Sequence, residues 1–326
     1  MSREDRLQII EEISNRRNSE VICYFTGDRK NISTRIAPDA VKVIYQHLRQ
    51  INPDNKIDLF IYTRGGDVLT PWRLVNLIRE YCDYFSVLVP FRAYSAGTLI
   101  CLGANEIVMG KMGELGPIDP TVANAFNPQN PNNPEAKIPI SVEDVSAYLD
   151  LAQERFKVQS EDNLINALSY LVDQVHPLAL GNVRRNYLLI RSTAKKLLSL
   201  HSLVENEAVV QNIIDYLTEK LYAHNYMIPR KEAADIKLPV KYPDPELEDL
   251  LWRLYENYEE ELELKKPFQP LDYLDHANNE FQVCGGYIES KPALDKFIFT
   301  GQVQQDEMMN EPEVNITEQK WVPAIK

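Results

Sequence analysis

Glycine is scarce in this chain of 326 residues, and it is placed unevenly. Of twelve glycines, seven (Gly65, Gly66, Gly97, Gly103, Gly110, Gly113 and Gly116) fall between residues 65 and 116. Glycine reaches backbone conformations that other residues resist. Tight turns and close backbone approaches are therefore concentrated in that window, and chemistry is expected there. The hydrophobic pattern around it alternates in type. Residues 56–63 read as a strand, 71–81 as a helix with Leu74, Leu77 and Ile78 on one face, and 85–90 as a strand. Residues 95–104 read as a short apolar helix and 106–109 as another strand. Strands alternating with helices predict βαβ units and a mostly parallel sheet.

Outside the window the spacing predicts a helix at 3–17, a buried strand at 19–26 bounded by Gly27-Asp28, and a helix opened by Ala37-Pro38-Asp39. Residues 124–133, rich in Asn and Pro, are expected to be a loop. Helical patterns follow at 142–175, 182–200 and 205–221, and a short helix opens at Pro229-Arg230. Residues 245–264 carry eight acidic side chains against the single basic Arg253, yet Leu247, Leu250, Leu251, Leu254 and Leu262 keep an apolar stripe. An amphipathic helix with an acidic outer face accounts for this pattern. In the tail, residues 281–284, 287–288 and 296–300 suggest short strands, with Gly285-Gly286 as a hairpin turn between two of them. The last twenty residues are polar and are expected to be mobile.

A formal net charge of −13 argues against binding to nucleic acids or anionic membrane surfaces, which need an extended basic surface. No run of about eighteen apolar residues exists to span a bilayer. The segment after Met1 lacks the apolar block of a signal peptide. Cys23, Cys82, Cys101 and Cys284 lie far apart and form no CxxC pair, so neither a metal site nor a disulfide framework is implied. A cytoplasmic location is the simplest expectation, with no cofactor and no metal. No GxGxxG or P-loop supports a nucleotide-binding oxidoreductase.

Two short elements carry the functional signal. Arg64-Gly65-Gly66-Asp67 follows a strand, and backbone N–H groups at such a glycine pair can face a substrate without obstruction by Cβ. Alone, it reads first as an ordinary βα turn. Tyr94-Ser95-Ala96-Gly97-Thr98 lies between a strand and a helix. Small residues after the serine permit a sharp turn like a nucleophile elbow, although Ala93 stands where GxSxG has its first glycine. The Ala96 N–H would point towards negative charge at the helix start. Alone, Ser95 reads first as a helix N-cap. Together the elements are more specific, because adjacent parallel strands would set Gly66 beside Ala96.

Residues 57–120 resemble the core shared by ClpP peptidases and signal peptide peptidase A. The matching pieces are Leu59-Phe60-Ile61-Tyr62-Thr63-Arg64-Gly65-Gly66, Tyr94-Ser95-Ala96-Gly97-Thr98 and Gly113-Glu114-Leu115-Gly116-Pro117-Ile118-Asp119-Pro120. The sequence is most similar to serine dehydrogenase proteinases (SDH-type), a similarity that extends to His224-Asn225-Tyr226-Met227-Ile228 and Arg230-Lys231-Glu232-Ala233-Ala234. The resemblance covers roughly residues 20–242, leaves the tail unexplained, and implies an α/β fold with a ClpP/crotonase-like ββα spiral core; the hydrophobic pattern adds a helical C-terminal region and a small tail containing strands. The resemblance also implies metal-independent peptide hydrolysis within a homo-oligomer. Residues 1–242 would form the peptidase domain, with a helical extension from about 142. Residues 243–265 would be the acidic helix, and 266–326 an extension that is partly β or mobile.

By this resemblance Ser95 is the nucleophile, and Gly66 and Ala96 are the oxyanion donors; Gly65 and Asp119 are candidates for the substrate cleft, and Asp119 reads equally as the initiator of the Pro117-Ile118-Asp119-Pro120 turn. ClpP-like enzymes carry a histidine after the nucleophile's helix, but the matching stretch here is Ile118-Asp119-Pro120. Two bases stay open. Lys137, just before the next helix, matches the SppA-like lysine, which burial can bring towards neutrality. His224 falls near the segment that bears the ClpP-like triad aspartate. Lys111 is a weaker alternative, and His47, His176, His201 and His276 match no motif. The expected partner is a peptide or protein substrate, with any regulatory partner unknown. The alternatives are an inactive ClpP-like scaffold and a crotonase-type acyl-CoA enzyme, the latter disfavoured by the serine and by the lack of basic clusters for CoA phosphates.

Overall fold

The computed structural model describes residues 2–325, apart from 52–55, 119–120, 123–124, 131–132, 139, 142–144, 146, 149, 158–159, 202–205, 222, 224, 275–278 and 306–311. Its first half contains strands β1 (Glu20–Thr26), β2 (Lys56–Tyr62), β3 (Tyr84–Val89), β4 (Arg92–Ala93), β5 (Glu106–Met109) and β6 (Glu114–Leu115). Between them lie helices α1 (Arg3–Arg17), α2 (Asp39–Leu48), α3 (Thr70–Arg79) and α4 (Ala96–Leu102). Short strands β7 (Thr121–Val122), β8 (Gln129–Asn130), β9 (Asn133–Lys137) and β10 (Ile140–Ser141) follow. Then come α5 (Glu161–Gln174), α6 (Pro177–Leu198), α7 (Glu207–Glu219), β11 (Ile228–Pro229), α8 (Arg230–Asp235), β12 (Val240–Lys241) and α9 (Pro245–Glu261). The chain ends in β13 (Glu280–Ser290), β14 (Leu294–Gln305) and β15 (Pro312–Ile325).

One eight-stranded sheet, in the order β12-β5-β3-β2-β1-β13-β14-β15, organises the molecule. Its β12-β5-β3-β2-β1 half is parallel. Strands β1 and β2 are buried along nearly their whole length, as parallel strands covered on both faces must be. Alternate side chains serve opposite layers. Ile22, Tyr24, Leu59 and Ile61 pack with α2, α3, α4, α6 and α7. Val21, Cys23, Phe25, Phe60 and Tyr62 pack on the other face, under α1 and α9. The acidic helix α9 therefore turns its leucines and Tyr258 inward, as its amphipathic pattern predicts.

The tail is more ordered than its polarity suggests. Strand β13 pairs antiparallel with β1, and β14 and β15 extend the same sheet. Residues 312–325, expected to be mobile, form β15, because a backbone ladder needs no apolar sequence; Trp321 anchors it against Tyr24 and Phe297. The hairpin turn expected at Gly285-Gly286 is instead a bulge inside β13, and the chain reverses after Ser290. A Cβ at Gly285 would lie 2.3 Å from the Phe299 ring and 2.4 Å from Thr34 Oγ1, so this glycine serves close packing. Within the expected loop at 124–133, Gln129 and Asn130 pair with β9.

The ends of the parallel strands opposite the site are clamped by charge. Arg17 donates to both carboxylate oxygens of Asp58 and to Glu106 Oε1 at 2.6 Å, and Ser19 Oγ donates to Asp58 at 2.7 Å. Asp58 is fully buried on β2. Removing the cation strands a buried carboxylate, which typically costs about 3–5 kcal/mol. Arg17→Met, which keeps the apolar stem, is expected to lose about that much. Urea denaturation checks this as a lowered midpoint with an unchanged slope.

Candidate active site

Three loops leave the C-terminal ends of β1, β2 and β3 and border one cleft of about 410 Å³. This is the end of a parallel sheet at which α/β proteins place their ligands. Asp28–Arg35 follow β1, Arg64 follows β2, and Tyr94 and Ser95 follow β3; Pro117 and Asn225 complete the wall.

The β2 and β3 loops are joined by backbone. Thr63 N–H donates to Arg92 O at 2.9 Å, and Tyr94 N–H donates to Thr63 O at 3.1 Å, a parallel bridge of Thr63 with Ala93. Buried Thr63 Oγ1 accepts from Thr26 Oγ1 at 2.8 Å and from Gly65 N–H at 3.0 Å. Gly65, at φ +105°, lies directly against the serine: a Cβ there would sit 2.8 Å from Ser95 Cβ and 3.3 Å from Oγ. Gly66, at φ +156°, bridges to Ile36, whose carbonyl oxygen would be 2.0 Å from an added Cβ. Asp67 does structural work, accepting at Oδ1 from Leu69 N–H, Thr70 N–H and Thr70 Oγ1 to start α3.

Ser95 has φ 50° and ψ −108°, a conformation that costs a non-glycine residue roughly 1–3 kcal/mol. Its side chain caps nothing in α4, so the N-cap explanation fails. Ser95 instead lines the cleft and is partly exposed, while Ala96–Leu102 are buried. The surrounding N–H groups are spoken for at Gly65, Asp67 and Gly97, the last donating to Tyr94 O at 2.8 Å. Those of Gly66 and Ala96 have no acceptor among the described residues. Thr98 Oγ1 stays 2.8 Å from the carbonyl oxygens of both Ala93 and Gly116 and accepts from Gly116 N–H at 3.1 Å. Tyr94 donates to Glu114; burial and this hydrogen bond push the phenol up to about 12.

A second small sheet, in the order β11-β6-β4, lies beside the nucleophile turn. Strand β6 pairs parallel with β4, and β11 pairs antiparallel with β6, opposite Leu115 and Glu114. The chain therefore returns to the site after α7, and Asn225 reaches the cleft wall. His224 and Asp119 lie outside the described residues. Lys137 ends β9, opposite Gln129, and is not among the cleft-lining residues. The structure thus brings Gly65, Gly66, Ser95 and Ala96 together.

One Ser–His–Asp cluster does occur among the described residues, and it is a decoy. His47 Nδ1 is 2.7 Å from Ser290 Oγ, and Nε2 is 3.0 Å from Asp295 Oδ2. Ser290 and His47 are fully buried, so the trio fastens α2 to the β13–β14 hairpin and meets no substrate. His201 Nε2 lies 2.9 Å from Leu102 O, and His176 caps α6. His276 lies outside the described residues. Sequence reasoning missed the β1 loop, where Arg29, Lys30 and Arg35 line the cleft. Its signal was available: three cations within seven residues of an acidic chain, immediately after a buried strand.

Residues 1–176, more than half of the chain, match the family described as ClpP-like SDH-type serine proteinase. The chain belongs to this family. Ser95, Gly65, Gly66, Ala96 and Lys137 of this SDH-type chain fall within the match, whereas β11 and His224 follow it. Its relatives include two uncharacterized proteins of Methanocaldococcus jannaschii, MJ0137 (34% identical over 110 residues) and MJ1495 (32% over 112). Each match covers 32% of this chain and 38% of the relative, so the similarity spans well under half of those proteins. Among solved structures, ClpP1 from Listeria monocytogenes aligns over 73% of this chain and 97% of its own, at 13% identity and a TM-score of 0.36.

The conformation of Ser95 predicts a stability signature. Glycine adopts φ 50°, ψ −108° without a Cβ penalty, while alanine inherits the strain. Ser95→Gly is expected to be about 1 kcal/mol more stable than Ser95→Ala, after allowing for the extra chain entropy of glycine. Paired chemical denaturation of the two variants checks this.

Proposed function

We propose that this chain hydrolyses peptide bonds through an acyl-enzyme on Ser95, as an endopeptidase acting on peptides or unfolded segments. The observation that carries the reading is the strained, uncapped Ser95, held against Gly65 in the wall of the cleft. Ser95 Oγ attacks the scissile carbonyl carbon and gives its proton to a general base. The N–H groups of Gly66 and Ala96 hold the oxyanion, each such donor contributing about 3–4 kcal/mol in known cases. Collapse breaks the C–N bond, and the base passes the proton to the leaving amine. Water, deprotonated by the same base, then releases the acid and restores the serine.

His224 and Lys137 are the two candidates for the base. The position of Asn225 in the cleft wall favours His224, its neighbour in the chain. Lys137 retains the sequence argument. A homo-oligomer in a cytoplasmic setting is part of the proposal and rests on the family resemblance. No helix among the described residues is long and apolar enough to cross a membrane.

Fluorophosphonate labelling followed by peptide mass spectrometry tests the mechanism. Wild type is expected to be modified at Ser95, and Ser95→Ala to be silent. Loss of the base should slow labelling by about 10²–10⁴-fold, so the slow member of the pair His224→Ala and Lys137→Ala identifies it. A folded wild type that labels nowhere would sink the nucleophile assignment and favour the scaffold alternative.

A further inference from the structure

The cleft at Ser95 is basic although the chain is acidic. Among the described residues, four of its lining side chains, Arg29, Lys30, Arg35 and Arg64, are cationic, against the single acid Asp28. Asp28 is already engaged: it accepts from Tyr62 OH at 2.8 Å and lies 3.7 Å from Arg64 and 3.6 Å from Arg92. Arg29 is also engaged, with Glu263 at 2.8 Å and the Lys266 carbonyl at 2.9 Å. Lys30 and Arg35 are exposed and have no ion pair among the described residues. Arg64, its side chain 58% exposed, has only the long contact to Asp28 among the described residues.

A body of net charge −13 repels anions at long range. Screening confines that repulsion to about 8–10 Å, so within the cleft the local cations dominate. A second hollow of about 330 Å³ shares Ser33, Thr34 and Arg35 with the first and adds Phe297, Phe299 and Asp39. Arg35 thus stands between two adjoining hollows, which suits an extended chain better than a small anion.

We infer that the cleft selects acidic peptides, with Lys30, Arg35 and Arg64 pairing with substrate carboxylates on either side of the bond presented to Ser95. This specificity rests on the peptidase reading for its biological use, but the binding preference can be measured without chemistry. The platform is the full-length Ser95→Ala chain. The ligands are a short fluorescent peptide bearing two glutamates and its counterpart bearing two glutamines, and the readout is anisotropy.

The glutamate peptide is expected to bind about tenfold more tightly, with the preference falling about 2–5-fold for each cation removed by Lys30→Gln and Arg35→Gln. The preference should also shrink in high salt. Both substitutions are at exposed positions, and circular dichroism verifies that the variants fold. Equal affinity for the two peptides, no binding of either, or a preference intact in the double variant would each overturn the inference. A wild type that fails to label at Ser95 bears on the nucleophile alone and leaves this measurement standing.

Discussion

The bridge between Thr63 and Ala93 is the contact on which the site depends. Two backbone hydrogen bonds lock the end of β2 to the start of the nucleophile turn. The Thr63 hydroxyl, buried between Thr26 and Gly65, fixes the turn from below. With that register set, Gly65 lies against Ser95, and the N–H groups of Gly66 and Ala96 are left without acceptors among the described residues. A slip of the strands would bring different residues together, because the side-chain period along a strand is two.

Strain and close packing are two sides of this arrangement. Ser95 is held in a conformation that serine avoids, which persists only where neighbours over-determine it. The neighbours are identifiable: Thr98 ties the turn to Gly116, Tyr94 is fastened to Glu114, and the methyl-free surface of Gly65 fills the space beside the serine. The glycines of residues 65–116 thus serve geometry at a few points where a Cβ would strike backbone or the nucleophile itself. Far from the site, the Arg17–Asp58–Glu106 cluster ties together the starts of β2 and β5, so the parallel half is fastened at both ends of its strands.

Charge is distributed against the average of the chain. Acidic residues crowd the outer face of α9, while the loop after β1 carries cations into the cleft. The two are linked, since Arg29 reaches Glu263 just beyond α9 and stacks near Phe268. The C-terminal strands are therefore part of the site's architecture: β13 covers the outer edge of β1 and, with β14 and β15, forms the wall that continues from Arg35 to Phe297 and Phe299.

Local pattern determined a great deal by itself. The alternation of strand and helix from 20 to 109, the glycine pair after β2 and the serine before α4 were legible because each reflects a short-range rule: period, steric freedom or an element boundary. Family membership follows from those same motifs. What the tertiary structure alone decided involves residues far apart in the chain. Periodicity says that a face is buried but not which strand lies at its edge, so β13 beside β1 was invisible. Gly285-Gly286 looked like a turn because the Phe299 ring that needs the space arrives only when β14 folds back. The cations of the β1 loop became a feature of the cleft only once β1, β2 and β3 were laid parallel. Likewise, β11 brought Asn225 to the wall by pairing with β6, a contact more than a hundred residues away in sequence. Such long-range pairings depend on the summed packing of the whole sheet, which no local segment encodes.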